Sequence, residues 1–297
     1  MVRVFAPATS ANLNVGFDNL GVALKPLSGS LGDEVLIAES LTDTIIVTGP
    51  YASEIRGPNI IERALECVRN ACGRRTPVSL ELRKGVPIGS GLGSSAASVV
   101  AAVKACNEYY GRPLDDPAGT ELMGELETEL SGGRHWDNIL PCALGGLRLG
   151  ESALPVPTGW IWLVVYPCIR LETRAMRALL PDSIPLRDAV EHAARLGKFV
   201  DALHRSDGSL AASLMVDPII EPQRSQMIPG FESIRDGLVN DGAIAAGISG
   251  SGPTIFAIFD DSAAAETALG RAKAWVVNTP GAFATLCEVD SIGARFV

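Results

Sequence analysis

The sequence predicts a mixed α/β fold arranged in two domains. Strand-like runs of β-branched or alternating residues are interspersed with helix-like runs along the whole chain. At 297 residues the chain exceeds the roughly 100–200 residues of a typical single domain. The segment 150–159 carries two prolines and two glycines, which is typical of a connector. We therefore predict one domain over residues 1–155 and a second over residues 156–297.

In the first domain the pattern predicts four strands and three helices. Turn residues bound the strands, which we assign to Val2–Phe5, Val35–Ile37, Thr44–Thr48 and Val78–Leu82. A first helix has Asn59 as its candidate N-cap, helical apolar spacing to Cys72, and Gly73 as its stop. An alanine-rich helix follows over Ser94–Tyr110. The next helix is indicated by the apolar stripe of Leu122, Met123, Leu126 and Leu130.

In the second domain the pattern predicts a buried first strand followed by helices, then a mixed run of strands and helices. The strands are Trp160–Tyr166, Ala243–Ile248, Thr254–Phe259 and Ala284–Val289. One helix begins near Glu172, and two further helices extend over Asp188–His204 and Ser262–Trp275.

Composition excludes several classes of function. A net charge of −9 and a pI near 4.9 argue against a nucleic-acid or acidic-membrane binder, which would carry a basic face. No run of about 18 apolar residues predicts a membrane span, and no signal peptide is expected. Six scattered cysteines without a C-x-x-C pair indicate reduced, mostly buried thiols and a cytoplasmic protein. Three histidines without metal-ligand spacing predict no zinc site.

A glycine–serine loop lies between the predicted strand Val78–Leu82 and the alanine-rich helix. Gly89, Gly91 and Gly93 alternate with other residues, which lets the backbone approach a ligand closely. Strand, glycine loop and helix N-terminus together form a generic anion site. The loop has neither the Gly-Lys-Ser of a Walker A motif nor a Rossmann fingerprint. The alternative is a tight strand-to-helix turn capped by serine.

Four segments in order resemble one family, the galactokinase, homoserine kinase, mevalonate kinase and phosphomevalonate kinase superfamily (GHMP kinases). Within it the chain is most similar to the bacterial homoserine kinases, nearly end to end. The segments are Ala6–Asp18, the loop Pro87–Ser98, His135–Asn138 and Gly247–Thr254.

The resemblance implies that the loop binds the phosphates of ATP and that Mg²⁺ is held by Ser95 and Glu127. From the residues alone, Glu127 and Glu129 remain alternatives, since both border the apolar stripe. The implied nucleotide-binding residues are Pro87, Ile88, Gly89, Ser90, Gly91, Leu92, Gly93, Ser94, Ser95, Ala96, Ala97 and Ser98.

For the acceptor the resemblance implies L-homoserine, phosphorylated to O-phospho-L-homoserine in threonine biosynthesis. The implied substrate contacts are Asn12, Asp18, His135, Thr173, Arg177 and Arg224. Asn138 is implied to lie near the transferring group, although Asp137 or His135 could serve as a general base on chemical grounds. The alternatives are Asx-turn formers at Asn12 and Asp18 and surface ion pairs at the two arginines.

The resemblance also implies the α+β fold of this family. Its N-terminal domain contains a left-handed βαβ crossover, its C-terminal domain is ferredoxin-like, and the active site lies between them. A second glycine loop, Gly247–Pro253, is implied to line that site, although a tight hairpin would use the same residues. Asn14 and Val15 stand where many members have Gly and Pro, which we expect to affect only the local turn. A homodimer is implied. The functional alternatives are another small-alcohol kinase of this family or a non-catalytic nucleotide- or amino-acid-binding sensor.

Overall fold

Two β-sheets and the helices packed on them organise the chain. The computed structural model describes residues 1–55 and 59–297. The strands are β1 (Val2–Pro7), β2 (Thr9–Ala11), β3 (Leu20–Pro26), β4 (Gly32–Glu39), β5 (Thr44–Thr48), β6 (Val78–Arg83), β7 (Leu147–Leu149), β8 (Ser152–Leu154), β9 (Ile161–Tyr166), β10 (Ala245–Ile248), β11 (Ile255–Phe259), β12 (Phe283–Val289) and β13 (Arg295–Phe296). The helices are α1 (Ile60–Cys72), α2 (Ser94–Tyr109), α3 (Asp116–Ser131), α4 (Trp136–Leu144), α5 (Thr173–Ala178), α6 (Leu186–His204), α7 (Gly208–Ser213), α8 (Glu221–Ser225), α9 (Phe231–Asn240) and α10 (Ser262–Val276).

The first sheet has the strand order β13-β1-β4-β6-β5. Its β5 and β6 are parallel and are joined through α1, which makes a βαβ unit. Helix α1 begins as predicted, because the side chain of Asn59 accepts a hydrogen bond from the N–H of Ile61. It ends at Gly73, which adopts the left-handed conformation with φ 67°. Helix α2 packs on this sheet and α1 packs on α2, and the glycine–serine loop connects β6 to α2.

The second sheet has the strand order β10-β11-β9-β12-β3-β7-β8, with β2 paired to β3. Strands β9 to β12 are antiparallel neighbours with helices after β9 and after β11, which is the expected ferredoxin-like βαββαβ connectivity. The sheet continues beyond this unit, since β12 also pairs with β3. Strand β8 lies inside the segment 150–159, where the sequence indicated only a connector. The division near residue 155 stays a prediction.

Helix α2 is the most deeply buried helix of the site region. Its side chains from Ala96 to Val103 are at most 3% exposed, and it packs against α1, α3, β1 and β4. Each fully buried valine contributes about 1.5–3 kcal/mol, and the alanines between them allow close helix–sheet approach. The N-terminus of α2 is thereby fixed within a rigid core.

The thiols of all six cysteines are free. Cys106, Cys142 and Cys287 are buried, whereas Cys168 is exposed and departs from the expectation of mostly buried thiols. In the described part of the chain, no helix has both the length and the apolar character needed to cross a bilayer.

Candidate active site

A cavity of about 590 Å³ lies where the glycine–serine loop meets helices from both halves of the chain. Most of the predicted site residues line it, including Asn12, Asp18, Glu127, His135, Asn138, Thr173, Arg177, Arg224 and most of the glycine–serine loop. Four of the predicted nucleotide-binding residues do not line the cavity and are buried beside it, namely Pro87, Leu92, Ala96 and Ala97. The structure therefore places most of the predicted site residues around one cavity.

The glycine–serine loop has a backbone that only glycine adopts readily. Gly89, Gly91 and Gly93 have φ angles of 67°, 79° and 65°, in the left-handed region. Gly93 is the N-cap of α2 and provides no side-chain cap, so the first N–H groups of the helix stay available. A β-carbon at Gly93 would also collide with the hydroxyl of Thr9. These positions therefore require glycine for both conformation and space.

Four consecutive carbonyl groups of this loop are hydrogen-bonded to other segments. The carbonyl oxygens of Gly89, Ser90, Gly91 and Leu92 accept from Leu171 N, Thr254 N, Ser249 Oγ and Thr9 N, at 3.0, 3.1, 2.7 and 3.1 Å. A free carbonyl oxygen in the cavity would repel an anion, and this arrangement leaves none of the four unpaired. The loop also leads into the N-terminus of α2, which has no side-chain cap and where the helix dipole favours negative charge.

A buried ion pair connects the two elements that flank the glycine–serine loop. Lys84 Nζ lies 2.5 Å from Asp33 Oδ2, and the two side chains are 2% and 0% exposed. Lys84 also donates to the carbonyl oxygen of Ser94 at 2.7 Å, in the first turn of α2. Asp33 Oδ1 accepts from the N–H groups of Gly85 and Val86. The pair therefore joins the end of β6 to the start of α2.

Ser95 and Glu127 form the pair expected to hold a cation. Ser95 Oγ donates to Glu127 Oε1 at 2.7 Å, whereas the buried Glu127 Oε2 has no hydrogen-bond partner. Burial raises the pKa of Glu127 to about 7, although the hydrogen bond from Ser95 lowers it. A hydroxyl and a carboxylate with an unpaired oxygen fit Mg²⁺, which usually takes one or two protein oxygens and keeps several waters. No cluster of three or more His, Cys, Asp or Glu side chains with metal-binding geometry occurs among residues 1–55 and 59–297.

The competing Glu129 has a different environment. Both of its carboxylate oxygens lie 3.2 Å from the guanidinium of Arg63, in an exposed ion pair. The charge of Glu129 is already balanced by Arg63, whereas Oε2 of Glu127 has no hydrogen-bond partner. The geometry therefore favours Glu127 as the cation ligand.

The segment His135–Asn138 begins α4 and presents three polar side chains to the cavity. Thr9 Oγ1 donates to Asn138 Oδ1 at 2.7 Å, which leaves the amide NH₂ of Asn138 as a donor. Burial, followed by the charge of Asp18, raises the pKa of Asp137 to about 7. Burial and the charge of Arg177 lower the pKa of His135, which favours its neutral form.

We expect Thr9→Val to lower kcat about 5- to 10-fold, because it removes one hydrogen bond worth about 1 kcal/mol that orients Asn138. Steady-state kinetics measure the change, and KM for the nucleotide should stay constant. Thr9→Ser retains the hydroxyl and serves as the matched control. A kcat equal to that of the wild type in Thr9→Val would contradict the orienting role.

The turn after β2 holds Asn12 and Asp18 in strained backbone conformations. Their φ angles are 70° and 56°, which non-glycine residues adopt rarely. Asn12 Oδ1 accepts from the N–H of Asp18 at 2.9 Å, six residues further along the chain, so this bond closes the whole turn and is not the two-residue Asx turn considered as the alternative. Asn12 Nδ2 also donates to the carbonyl oxygen of Gly250 at 3.0 Å, in the second glycine loop. This loop contacts the cavity and is more than a hairpin.

Two arginines lie opposite this turn. Arg177 forms a bidentate pair with Asp18, at 2.8 and 2.9 Å, and Arg224 Nη1 donates to the carbonyl oxygen of Gly250 at 2.8 Å. The ring of Phe17 lies against both guanidinium groups, with centroid distances of 5.6 and 5.3 Å. Arg224 is 3% exposed and its Nε has no partner, so it is not a surface ion pair. Thr173, at the start of α5, completes this wall.

Asn14 has a larger role than expected from the sequence. Its side chain reaches beyond the local turn and donates to Glu221 Oε2 at 2.6 Å. The expectation that this position affects only turn geometry is therefore wrong.

Comparison with known proteins identifies the family. A model of the GHMP kinases N terminal domain matches residues 59–146, and a model of the GHMP kinases C terminal domain matches residues 195–278. A crystal structure of homoserine kinase from Cytophaga hutchinsonii is 33% identical with a TM-score of 0.89, covering 100% of this chain and 97% of that chain. This chain belongs to the GHMP kinase superfamily.

Similarity to two more distant solved structures shows the fold alone. The L. major mevalonate kinase in complex with R-mevalonate is 15% identical with a TM-score of 0.73, covering 97% of this chain and 96% of that chain. The Methanococcus jannaschii mevalonate kinase is also 15% identical, with a TM-score of 0.69 and coverage of 97% and 98%.

Sequence reasoning missed several residues of this GHMP kinase site. Thr9 and Phe17 lie inside the first motif, but nothing in a linear pattern shows that they contact Asn138 and the two arginines. Lys84 lies two residues after the predicted strand Val78–Leu82 and precedes the glycine loop, and this position was the signal available for it. Its partner Asp33 gave no signal, because their contact depends on the pairing of β4 with β6.

Proposed function

We propose that this protein is a homoserine kinase, which transfers a phosphoryl group from ATP to the side-chain hydroxyl of L-homoserine. The observation that carries the proposal is one cavity with two unlike regions. An anion cradle at the N-terminus of α2 adjoins a charged wall, in which Asp18 is paired with Arg177 and which also contains Arg224. The 33% identity to a homoserine kinase over the whole chain supports the same acceptor.

The charged wall suits a zwitterionic amino acid. A substrate ammonium requires a carboxylate or carbonyl partner, which Asp18 and Asn12 supply. A substrate carboxylate requires a bidentate cation, which Arg177 and Arg224 supply, with the hydroxyl of Thr173 nearby. Because Asp18 and Arg177 pair with each other directly, an entering zwitterion exchanges one ion pair for two. A neutral sugar or a simple alcohol offers no such exchange.

Phosphoryl transfer then depends on positioning and charge neutralisation. The loop amides and the N-terminus of α2 bind the phosphates, and the amide NH₂ of Asn138 contacts the acceptor oxygen or the transferring group. Ser95 and Glu127 would hold Mg²⁺, which would supply neutralisation of the charge on the phosphate oxygens. An amide cannot accept the hydroxyl proton. The buried carboxyl of Asp137 lies 3.4 Å from Asn138 Nδ2, and burial raises its pKa to about 7, which suits a general base.

A coupled ADP-release assay tests the proposal with Mg²⁺-ATP and five acceptors: L-homoserine, L-serine, L-threonine, mevalonate and galactose. We expect turnover with L-homoserine at a kcat/KM well above that of the others. Turnover with mevalonate or galactose instead would identify another small-alcohol kinase, and turnover with none would favour a binding protein.

We expect Arg177→Met to raise KM for L-homoserine roughly 10- to 100-fold, since a charge-assisted hydrogen bond contributes about 1.5–3 kcal/mol. The KM for ATP should change little, because Arg177 lies on α5 and not on the glycine–serine loop. Arg177→Lys retains the charge without the planar fork and should give an intermediate KM. An unchanged KM for L-homoserine in Arg177→Met would refute the carboxylate contact.

A further inference from the structure

The side chain of Asn14 joins two segments that carry opposite ends of the proposed acceptor site. Asn14 lies in the turn after β2 and is 5% exposed. Its Nδ2 donates to Glu221 Oε2 at 2.6 Å, and Glu221 begins α8, three residues before Arg224. A single hydrogen bond therefore connects the turn that holds Asn12 and Asp18 to the helix that holds Arg224.

Glu221 is itself held in place from the other side. Its Oε1 lies 3.4 Å from Arg235 Nη1 on α9. Burial raises the pKa of Glu221, and the hydrogen bond from Asn14 lowers it. Because Arg235 on α9 also contacts the carboxylate, Glu221 is held as the acceptor for the amide of Asn14.

The second glycine loop provides the space for this contact. A β-carbon at Gly247 would collide with Asn14 Nδ2, so only glycine leaves room for the amide there. The same Nδ2 lies 3.5 Å from the carbonyl oxygen of Ala246. The amide is thus enclosed by β10 and α8 together.

We propose that the Asn14–Glu221 hydrogen bond positions the acceptor's amino-acid group by fixing the spacing between Asp18 and Arg224. The inference rests on the proposed function, in which Asp18 binds the ammonium group and Arg224 the carboxylate. Neither Asn14 nor Glu221 is among the described residues that line the cavity, so both act through their neighbours. The carbonyl oxygen of Gly250, which accepts from both Asn12 and Arg224, supplies the second point of the same connection.

A charge-swap experiment tests the inference on the full chain. Asn14→Asp places a carboxylate against Glu221, and we expect KM for L-homoserine to rise about 10-fold, with KM for ATP unchanged. The rise should shrink as the pH falls from 8 to 6, because one shared proton restores a hydrogen bond between the carboxyl groups. Asn14→Asp combined with Glu221→Gln again forms one amide–carboxylate hydrogen bond, and KM should return to within about 2-fold of the wild type.

A matched control carries the same charge change elsewhere. Asn240→Asp lies at the exposed end of α9 and should leave both KM values unchanged. The inference is overturned if Asn14→Asp has a normal KM for L-homoserine. It is also overturned if the double variant is no better than the single one, or if both KM values and Tm shift together.

The two proposals fail in distinguishable ways. A wild-type chain that phosphorylates L-serine or L-threonine instead refutes homoserine as the substrate, and the KM comparison is then made with that amino acid. Turnover with mevalonate or galactose alone overturns both proposals, because neither acceptor carries an amino-acid group. A wild-type chain that phosphorylates none of the five acceptors also overturns both.

Discussion

Glu127→Gln should reduce kcat by roughly 100- to 1000-fold while the protein remains folded. The variant keeps the size of the side chain and the acceptor for Ser95 Oγ, but loses the negative charge beside the phosphate cradle. Metal ions contribute several kcal/mol to transition-state stabilisation, and each 1.36 kcal/mol corresponds to a factor of ten in rate. The ADP-release assay measures the loss, and the Mg²⁺ concentration for half-maximal rate should rise.

Stability separates a catalytic role of Glu127 from a structural one. The side chain is 2% exposed and burial raises its pKa to about 7, so a neutral amide removes a desolvation cost. We therefore expect Tm, measured with EDTA, to be no lower than in the wild type.

Glu129→Gln is the matched control for the charge of Glu127. It removes an exposed ion pair with Arg63, which contributes at most about 1 kcal/mol. Normal kinetics in Glu127→Gln together with a large loss in Glu129→Gln would move the cation site to Glu129.

Lys84→Met should destabilise the fold by about 3–5 kcal/mol, which is the usual cost of leaving one buried charge of an ion pair without its partner. Asp33 is fully buried, so its carboxylate would lose the ammonium while remaining out of contact with water. The first turn of α2 would also lose the hydrogen bond to the carbonyl oxygen of Ser94. Urea unfolding measures the change in the free energy of unfolding, and KM for ATP should rise.

A double variant identifies the buried charge as the cause. Lys84→Met combined with Asp33→Asn removes both charges, and we expect it to be more stable than Lys84→Met alone. Lys25→Met removes an exposed lysine paired with Glu288 and should cost less than about 1 kcal/mol. Additive losses in the double variant would show that the two charges do not interact.

Local patterns predicted most of the longer elements. Strands β5 and β6 and helices α1, α2 and α10 lie within a few residues of the predicted bounds, because alternation and helical apolar spacing are strong there. Helix α4 was missed, and it contains Pro141, a residue that ordinarily argues against a helix. Strands β7 and β8 have three residues each and depend on pairing with each other rather than on propensity.

The residues of the candidate site could be predicted from their types and motifs, but the contacts between them could not. The glycine–serine loop and the arginines on helices carry chemical signals that a single sequence displays. The contacts that give them geometry join residues far apart in the chain, such as Thr9 with Asn138 and Asn12 with Gly250. Such contacts exist only after both sheets have formed, so local patterns do not contain them.

The pairing of β3 with β12 affects how the chain folds as it is synthesised. Leu24 is the partner of Val289, so the segment Leu24–Pro26 obtains its neighbouring strand only after more than 250 further residues have been translated. Contacts of such long sequence separation form slowly, and unpaired strand edges promote association between chains. A nascent chain therefore carries an open strand edge at Leu24–Pro26 until β12 has been translated and paired.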